Sequence, residues 1–241
     1  MTEAVATERK PVLIPQVLAI GGRFGRYAPE TERDARGADV RKDKGLEGIR
    51  RTWRFYTQGD WTEVDGRTGI DFTDPEEAYR KMHELVAFLE YSAGDVKQFC
   101  LDLTDNSGVK YGFSVPMHGG LFLSALINNG SEGGYVVCQP PAGLGCFGYR
   151  NKKDITVHGD VLWDLGMRME SGIIIVKGNA GNTVGHEMRG GRIIIEGSVG
   201  VQPGFGMSGG EIHIGGRLGG LTEWDIHCGK IYHKGKLLVD K

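Results

Sequence analysis

The chain has 241 residues, with 29 Lys and Arg against 31 Asp and Glu for a formal charge of −2, so it lacks the basic excess of a nucleic-acid binder. No apolar run approaches the roughly 18 residues of a membrane-spanning helix, and the opening MTEAVATERKPVLIPQ has neither the apolar segment nor the cleavage pattern of a signal peptide. Cys100, Cys138, Cys146 and Cys228 are scattered without a CxxC pair, which signals neither a zinc site nor a disulfide framework; a reduced, cytoplasmic protein is the expectation.

Residues 1–52 read as an extended or partner-docking arm. The stretch ETERDARGADVRKDKGLEGIRR (30–51) is charged and poor in apolar residues, a composition that cannot bury enough surface to order itself alone. Residues 53–133 read as a small α+β cap. Its clearest element is a helix opening at Thr73-Asp74-Pro75-Glu76-Glu77, with an N-cap, a proline in the first turn and acids at the positive end. Ala78, Met82, Leu85, Val86 and Leu89 form its apolar stripe, and Gly94 lies beyond its end. KQFCLDL and VKYGFSV flank Thr104-Asp105-Asn106-Ser107-Gly108, a pattern that predicts a hairpin.

From residue 134 to 241 the sequence changes character. The 40 glycines of the chain, over twice the usual share of about 7%, concentrate into periodic series. Gly159, Gly178, Gly197, Gly216 and Gly235 lie 19 apart, as do Gly172, Gly191, Gly210 and Gly229, and Gly166, Gly185 and Gly204. Gly181, Gly200 and Gly219 make a fourth series, which reaches back past Leu162 to Gly143, and Met169, Met188 and Met207 a fifth, continued by Ile226. Two apolar columns share the step: Val136, Ile155, Ile174, Ile193, Ile212 and Ile231, then Cys138, Val157, Val176, Ile195, Ile214 and His233. Being two residues apart, they face the same side of a strand. Ala142, Val161, Ala180, Val199, Leu218 and Leu237 form a third inward column. One such unit cannot bury its own apolar face, but stacked units can, so the prediction is a parallel β-helix with 19-residue turns and glycine corners. The cap is then expected to close its open end.

Between the two inward columns runs an outward one: Thr156, Ile175, Ile194, His213 and Tyr232. Its apolar middle predicts a contact, either with the chain's own N-terminal arm or with another subunit. Ile175, Ile194, His213 and Tyr232 are therefore the candidate interface residues.

Chemical sites find less support. Gly143-Leu144-Gly145-Cys146-Phe147-Gly148 fits GxGxxG, yet Tyr149–Asp154 has no helical apolar period, whereas a dinucleotide site needs a helix there; the 19-residue register already accounts for Gly143. His158 shares an outward column with Lys177 and Glu196, and His213 and His233 fall on opposite strand faces. His227-Cys228 would make half a metal site at most. No serine has a nucleophile-elbow context, so no catalytic, cofactor or metal residues are predicted.

GNAGNTVGHEMRGGRIIIEG (178–197) resembles the GXGXG repeat found in the β-helical subunit of formylmethanofuran dehydrogenase, in its formyltransferase/hydrolase counterpart and in the C-terminal domain of the glutamate synthase large subunit. The likeness spans about residues 134–235, and the Met-Arg-Gly-Gly and Ile-Ile-Glu-Gly wording is nearer the formylmethanofuran dehydrogenase subunit. The resemblance implies a right-handed β-helix acting as a non-catalytic scaffold, binding no cofactor itself. Its partners would be catalytic subunits carrying metals, molybdopterin or tungstopterin, Fe–S clusters or FMN. The alternatives are a glutamate-synthase-like amidotransferase or oxidoreductase complex, or a free-standing enzyme with a pocket between cap and β-helix.

Overall fold

The computed structural model describes residues 45–58, 74–103, 115–139 and 143–241. All of them belong to one of two units of the chain; the other, Met1–Val40 with Asp60–Gly69, lies outside the described residues. Among the described residues four helices come first: α1 (Gly45–Gln58), α2 (Pro75–Val86), α3 (Ala93–Asp102) and α4 (Val115–Asn129). The cap is thus helical over its described part, not α+β. Residues 45–51, read as the end of an extended arm, form the first half of α1, which buries Ile49 and Tyr56.

Helix α2 starts as predicted, with Asp74 accepting the Glu76 N–H and Pro75 at its first position. It stops at Val86, however, and Gly94 lies within a separate helix. Ser92 and Asp95 cap α3 reciprocally, and Val96, Phe99 and Cys100 recur at i, i+3 and i+4 to make its buried face. That helical period overrides the predicted first hairpin strand, Lys97–Leu103; the hairpin's turn and most of its second strand fall outside the described residues. Helix α4 buries residues on every side, so it carries no amphipathic stripe to betray it.

The helices cover the first coil. Ser124 in α4 accepts the N–H groups of Gly148 and Tyr149 at 2.9 and 3.2 Å. Gly145 donates its N–H to Pro116 O at 2.9 Å, and a Cβ on Gly120 would collide with the Gly145 carbonyl oxygen. In α3, the Cys100 thiol donates to Cys138 O at 2.8 Å, and burial pushes that thiol up to about 12.

The remainder is a β-solenoid of about five coils. One wall is a sheet in the order β1 (Gly134–Cys138), β2 (Asp154–His158), β3 (Ile173–Val176), β4 (Arg192–Ile195), β6 (Ser208–Ile214), β8 (Cys228–His233) and β9 (Lys236–Asp240). All pairs are parallel except β8–β9. A second wall pairs β5 (Val199–Val201) with β7 (Leu218–Gly220). From β2 onward Ile155, Ile174, Ile193, Ile212 and Ile231 stack at the 19-residue step and are buried, with one irregularity in β6, where Ser208 meets Cys228.

Both ends depart from the 19-residue register. In β1, Tyr135 pairs with Ile155 and Val137 with Val157, so these two are buried, while Val136 is 42% exposed and Cys138 half-buried. The first coil is one residue long at the strand and one short at the next corner, where Gly145 pairs with Trp163. Gly143 therefore falls one place off the register assigned to it. At the other end the chain turns back: β9 is antiparallel to β8, burying Val239 and leaving Leu237 42% exposed. Leu237 and His233, read as the last members of inward columns, therefore do not continue the coil; His233 is half-buried and meets Gly216 O at 2.9 Å through Nε2. Ala142 lies outside the described residues.

The glycine columns serve two different purposes. Gly172, Gly191, Gly210 and Gly229 adopt φ of +77°, +84°, +93° and +120°, a region open to glycine and strained for other residues. Gly178, Gly197 and Gly216 do not; there a Cβ would come within 2.5 Å of the backbone one coil back, so these are sites of close approach. Gly159 has positive φ as well, +125°. Between them runs a polar ladder: Asp160 accepts the Asn179 N–H, Asn179 that of Ser198, and Ser198 that of Arg217, at 2.7–3.0 Å. Each side chain thereby satisfies a corner amide that no strand partner reaches.

Candidate functional site

The register places the predicted interface residues in one line across the sheet: Thr156, Ile175, Ile194, His213 and Tyr232 are successive partners. All five are half-buried, and Val136, relocated from the interior, extends the line by pairing with Thr156. His213 and Tyr232 stack with centroids 4.4 Å apart and planes at 11°. Charged pairs border the stripe: Arg192–Glu211 at 2.8 Å with His213 Nε2 at 3.1 Å from Glu211 on one side, and Lys177–Glu196 on the other. The result is an apolar strip with an ionic margin on a wall whose backbone is fully laddered. Whether residues 1–44 lie over it falls outside the described residues.

A second constellation, missed in the sequence, runs along one corner of the solenoid. Tyr149, Met167, His186 and Phe205 form one column, and Arg150, Arg168, Glu187 and Gly206 the next, at steps of 18 and then 19 residues; in the last coil the 3-10 turn Glu223–Asp225 shifts the pairing by one, and the Gly206 N–H is donated to Asp225 O at 2.8 Å. Arg150, Arg168 and Glu187 each take φ near +50° at the turn. Glu76, in the first turn of α2, locks the helices onto this corner: its carboxylate accepts from the Tyr149 hydroxyl at 2.7 Å and from Arg168 at 2.6 Å, and pairs with Arg150 at 2.8 Å. Arg168 also donates through Nε to Glu187 at 2.6 Å. Beyond it, His186 lies between Asp164 (3.4 Å) and Glu187 (3.8 Å) with its ring edge-on to Phe205 at 5.3 Å. Its Nδ1 is buried and not aligned for a hydrogen bond with Asp164 despite that distance.

Burial alone would raise the Glu76 carboxyl, but the Tyr149 hydroxyl, Arg150 and Arg168 together hold it below the ordinary glutamate value. For Glu187 the leading influence is the Arg168 hydrogen bond, again downward. A carboxyl depressed by folding stabilises the fold fully above its unfolded value and loses that contribution as pH falls through the folded one. The Glu76 contribution is therefore expected to fade as pH drops below the ordinary glutamate value of about 4.3. Glu76→Gln should flatten the acid limb of a stability–pH curve and cost about 1 kcal/mol or less at neutral pH, since the group is partly solvent-screened. An acid limb unchanged in the variant would show that the clamp does not hold the helices.

The same corner offers a nucleophile no activation. Cys146 Sγ is 3.9 Å from Asp164, and burial first, then that carboxylate, push its thiol up to about 12. A working cysteine needs the opposite, a lowered thiol with a base beside it, and His186 lies on the far side of Asp164. Gly143–Gly148 makes a coil corner, with φ of +76° and +74° at its two ends, and no helix opens after it to receive a pyrophosphate. His158 is exposed in its column, and His227 and Cys228 are both exposed. Among the described residues no three His, Cys, Asp or Glu side chains gather as metal ligands would, and no helix is long and apolar enough to cross a membrane.

No protein-family model matches this chain, and neither does any curated protein or solved structure.

Proposed function

We propose that this chain is a non-catalytic scaffold subunit of a multi-subunit enzyme complex, holding catalytic subunits through the outward face of its sheet. The observation that carries the reading is the Ile175–Ile194 stripe with its His213–Tyr232 extension, apolar across successive coils and bordered by charge. Interfaces commonly have that anatomy, an apolar and aromatic centre within a polar rim. The likeness of residues 178–197 to the GXGXG repeat supports the same reading and favours a formylmethanofuran-dehydrogenase-like complex of one-carbon chemistry, whose partner subunits would carry the metal, pterin or Fe–S centres.

The test is a double change, Ile175→Glu with Ile194→Glu, in tagged full-length chain purified from its native source. Two carboxylates placed in a subunit contact must be desolvated at a cost of several kcal/mol, so the variant should leave the complex while circular dichroism shows the solenoid intact. Size-exclusion chromatography that finds the complex unchanged would put the contact elsewhere. Turnover by the purified single chain would overturn the scaffold reading altogether.

A further inference from the structure

We propose that the groove at the last corner of the solenoid is a receptor for an arginine side chain of a partner subunit. This deepens the scaffold reading and depends on it for the identity of the partner, but it concerns a different surface. The groove, about 520 Å³, is lined by Glu187, Phe205, Gly206, Trp224, Asp225 and His227.

The corner column supplies a charged side chain at Arg150, Arg168 and Glu187 but none at Gly206, whose N–H meets Asp225 O of the last coil at 2.8 Å. Earlier in the same column Arg168 stands between two carboxylates, Glu76 and Glu187, each at 2.6 Å. The Tyr149 ring is beside it, its hydroxyl 3.0 Å from the guanidinium. The groove offers the same kinds of group, carboxylates and aromatic rings, around a position where the column has no side chain. Glu187 and Asp225 supply the carboxylates, the absent side chain of Gly206 leaves the space, and Phe205 and Trp224 supply the rings. Among the described residues the Asp225 carboxylate has no partner. Glu187 gives Oε2 to Arg168 and keeps Oε1 free of a hydrogen bond, with only His186 Nε2 at 3.8 Å.

Trp224 is 80% exposed and Phe205 37%, an indole and a phenyl face open to solvent, whereas Tyr149, at the start of the Phe205 column, is fully buried. An anionic ligand would meet two carboxylates. A neutral apolar one would strip water from Asp225 without replacing its hydrogen bonds. A guanidinium meets both demands, since it forks onto a carboxylate and stacks flat on an indole. An ammonium is a compact point charge without that plane, which favours arginine over lysine.

The experiment uses the full chain labelled with 5-fluorotryptophan, which gives four indole signals, that of Trp224 being assigned by its loss in Trp224→Phe. The chain is titrated with N-acetyl-arginine amide and with the uncharged citrulline counterpart. The Trp224 signal should move with arginine and stay still with citrulline. Asp225→Asn should weaken binding by about three- to five-fold, as loss of one partly exposed charge pair does. Gly206→Arg puts a cation into the gap from within the chain and should abolish the response. Residue 206 has φ +66°, a geometry that Arg150 and Arg168 already adopt in that column, and circular dichroism confirms folding of each variant. No shift with arginine, an equal shift with citrulline, or undiminished binding in Asp225→Asn would each overturn the proposal. Assembly in the Ile175/Ile194 variant is a separate readout, so loss of one reading does not remove the other.

Discussion

Gly191→Val is expected to destabilise the chain by about 3 kcal/mol or more, from two penalties of separate origin. The first is conformational. Gly191 has φ +84°, and a β-branched residue held at positive φ stores of order 1–3 kcal/mol. The second is steric. A Cβ there would lie 2.7 Å from both the Gly172 carbonyl oxygen and the Met169 Cε, and 2.9 Å from the Ser171 carbonyl carbon. Met169 could swing aside, but the Gly172 carbonyl cannot, because it accepts the Arg192 N–H at 3.0 Å in the ladder. Forcing the coils apart at such a point adds about 1–3 kcal/mol, as overpacking does. Gly133→Ala is the control: its Cβ would meet nothing within 4 Å, and its effect should stay within about 0.5 kcal/mol of zero. Urea melts of both variants decide the matter. A Gly191→Val protein as stable as the control would mean that the corner can relax, contrary to the packing.

The coils were legible because their signal is redundant: five glycine and methionine series and three inward columns share one step, and an interior seen in section repeats those columns. What was misread lies where redundancy fails. The first coil carries Gly134–Cys138, where Val136 and Tyr135 are both apolar, so composition alone cannot choose between them. The extra residue at the strand and the missing one at Gly145 cancel over the coil, which hid the slip. The last strand looked like another rung until the Lys234–Gly235 turn, with φ +50° and +76°, reversed it. Helix α4 was invisible for the opposite reason. Val115–Asn129 is apolar on all sides because it is buried between other helices and the first coil, and burial on every side erases the period that announces a helix.

The candidate surfaces divide similarly. The Ile175–Ile194 line follows from alternation in a strand and needed only the register. The Glu76 clamp joins residues 74 and 92 positions apart, a contact that no local pattern encodes. The Arg168–Glu187 and His186–Phe205 steps were readable at 19 residues, but only once corner residues, and not strands alone, are stacked coil on coil.

Ile193→Ala is expected to cost about 2–5 kcal/mol, as core truncations do, with the value near the upper part of that range. Ile193 is fully buried, and its Cδ1 fills the space a side chain on Gly166 would occupy, 2.5 Å from where that Cβ would be. The same interlock recurs at Gly148 with Ile174, Gly185 with Ile212 and Gly204 with Ile231. The glycine opposite Ile193 has no side chain with which to close the cavity, and its backbone is pinned by the Gly166 N–H donated to Phe147 O at 2.8 Å. Relaxation, which lowers the cost of such deletions elsewhere, is therefore restricted here. Ile194→Ala, one residue along and half-buried on the outer face, loses only part of its transfer energy, about 1 kcal/mol or less in the isolated chain. Coils in a solenoid contact their neighbours alone, so the damage from Ile193→Ala should appear first as lost amide protection in β3, β4 and β6, with β1 beneath the helices affected least. Denaturant melts supply the energies and hydrogen exchange the location. Equal losses for the two variants, or protection lost uniformly along the sheet, would contradict the interlock of isoleucine and glycine as the source of stability.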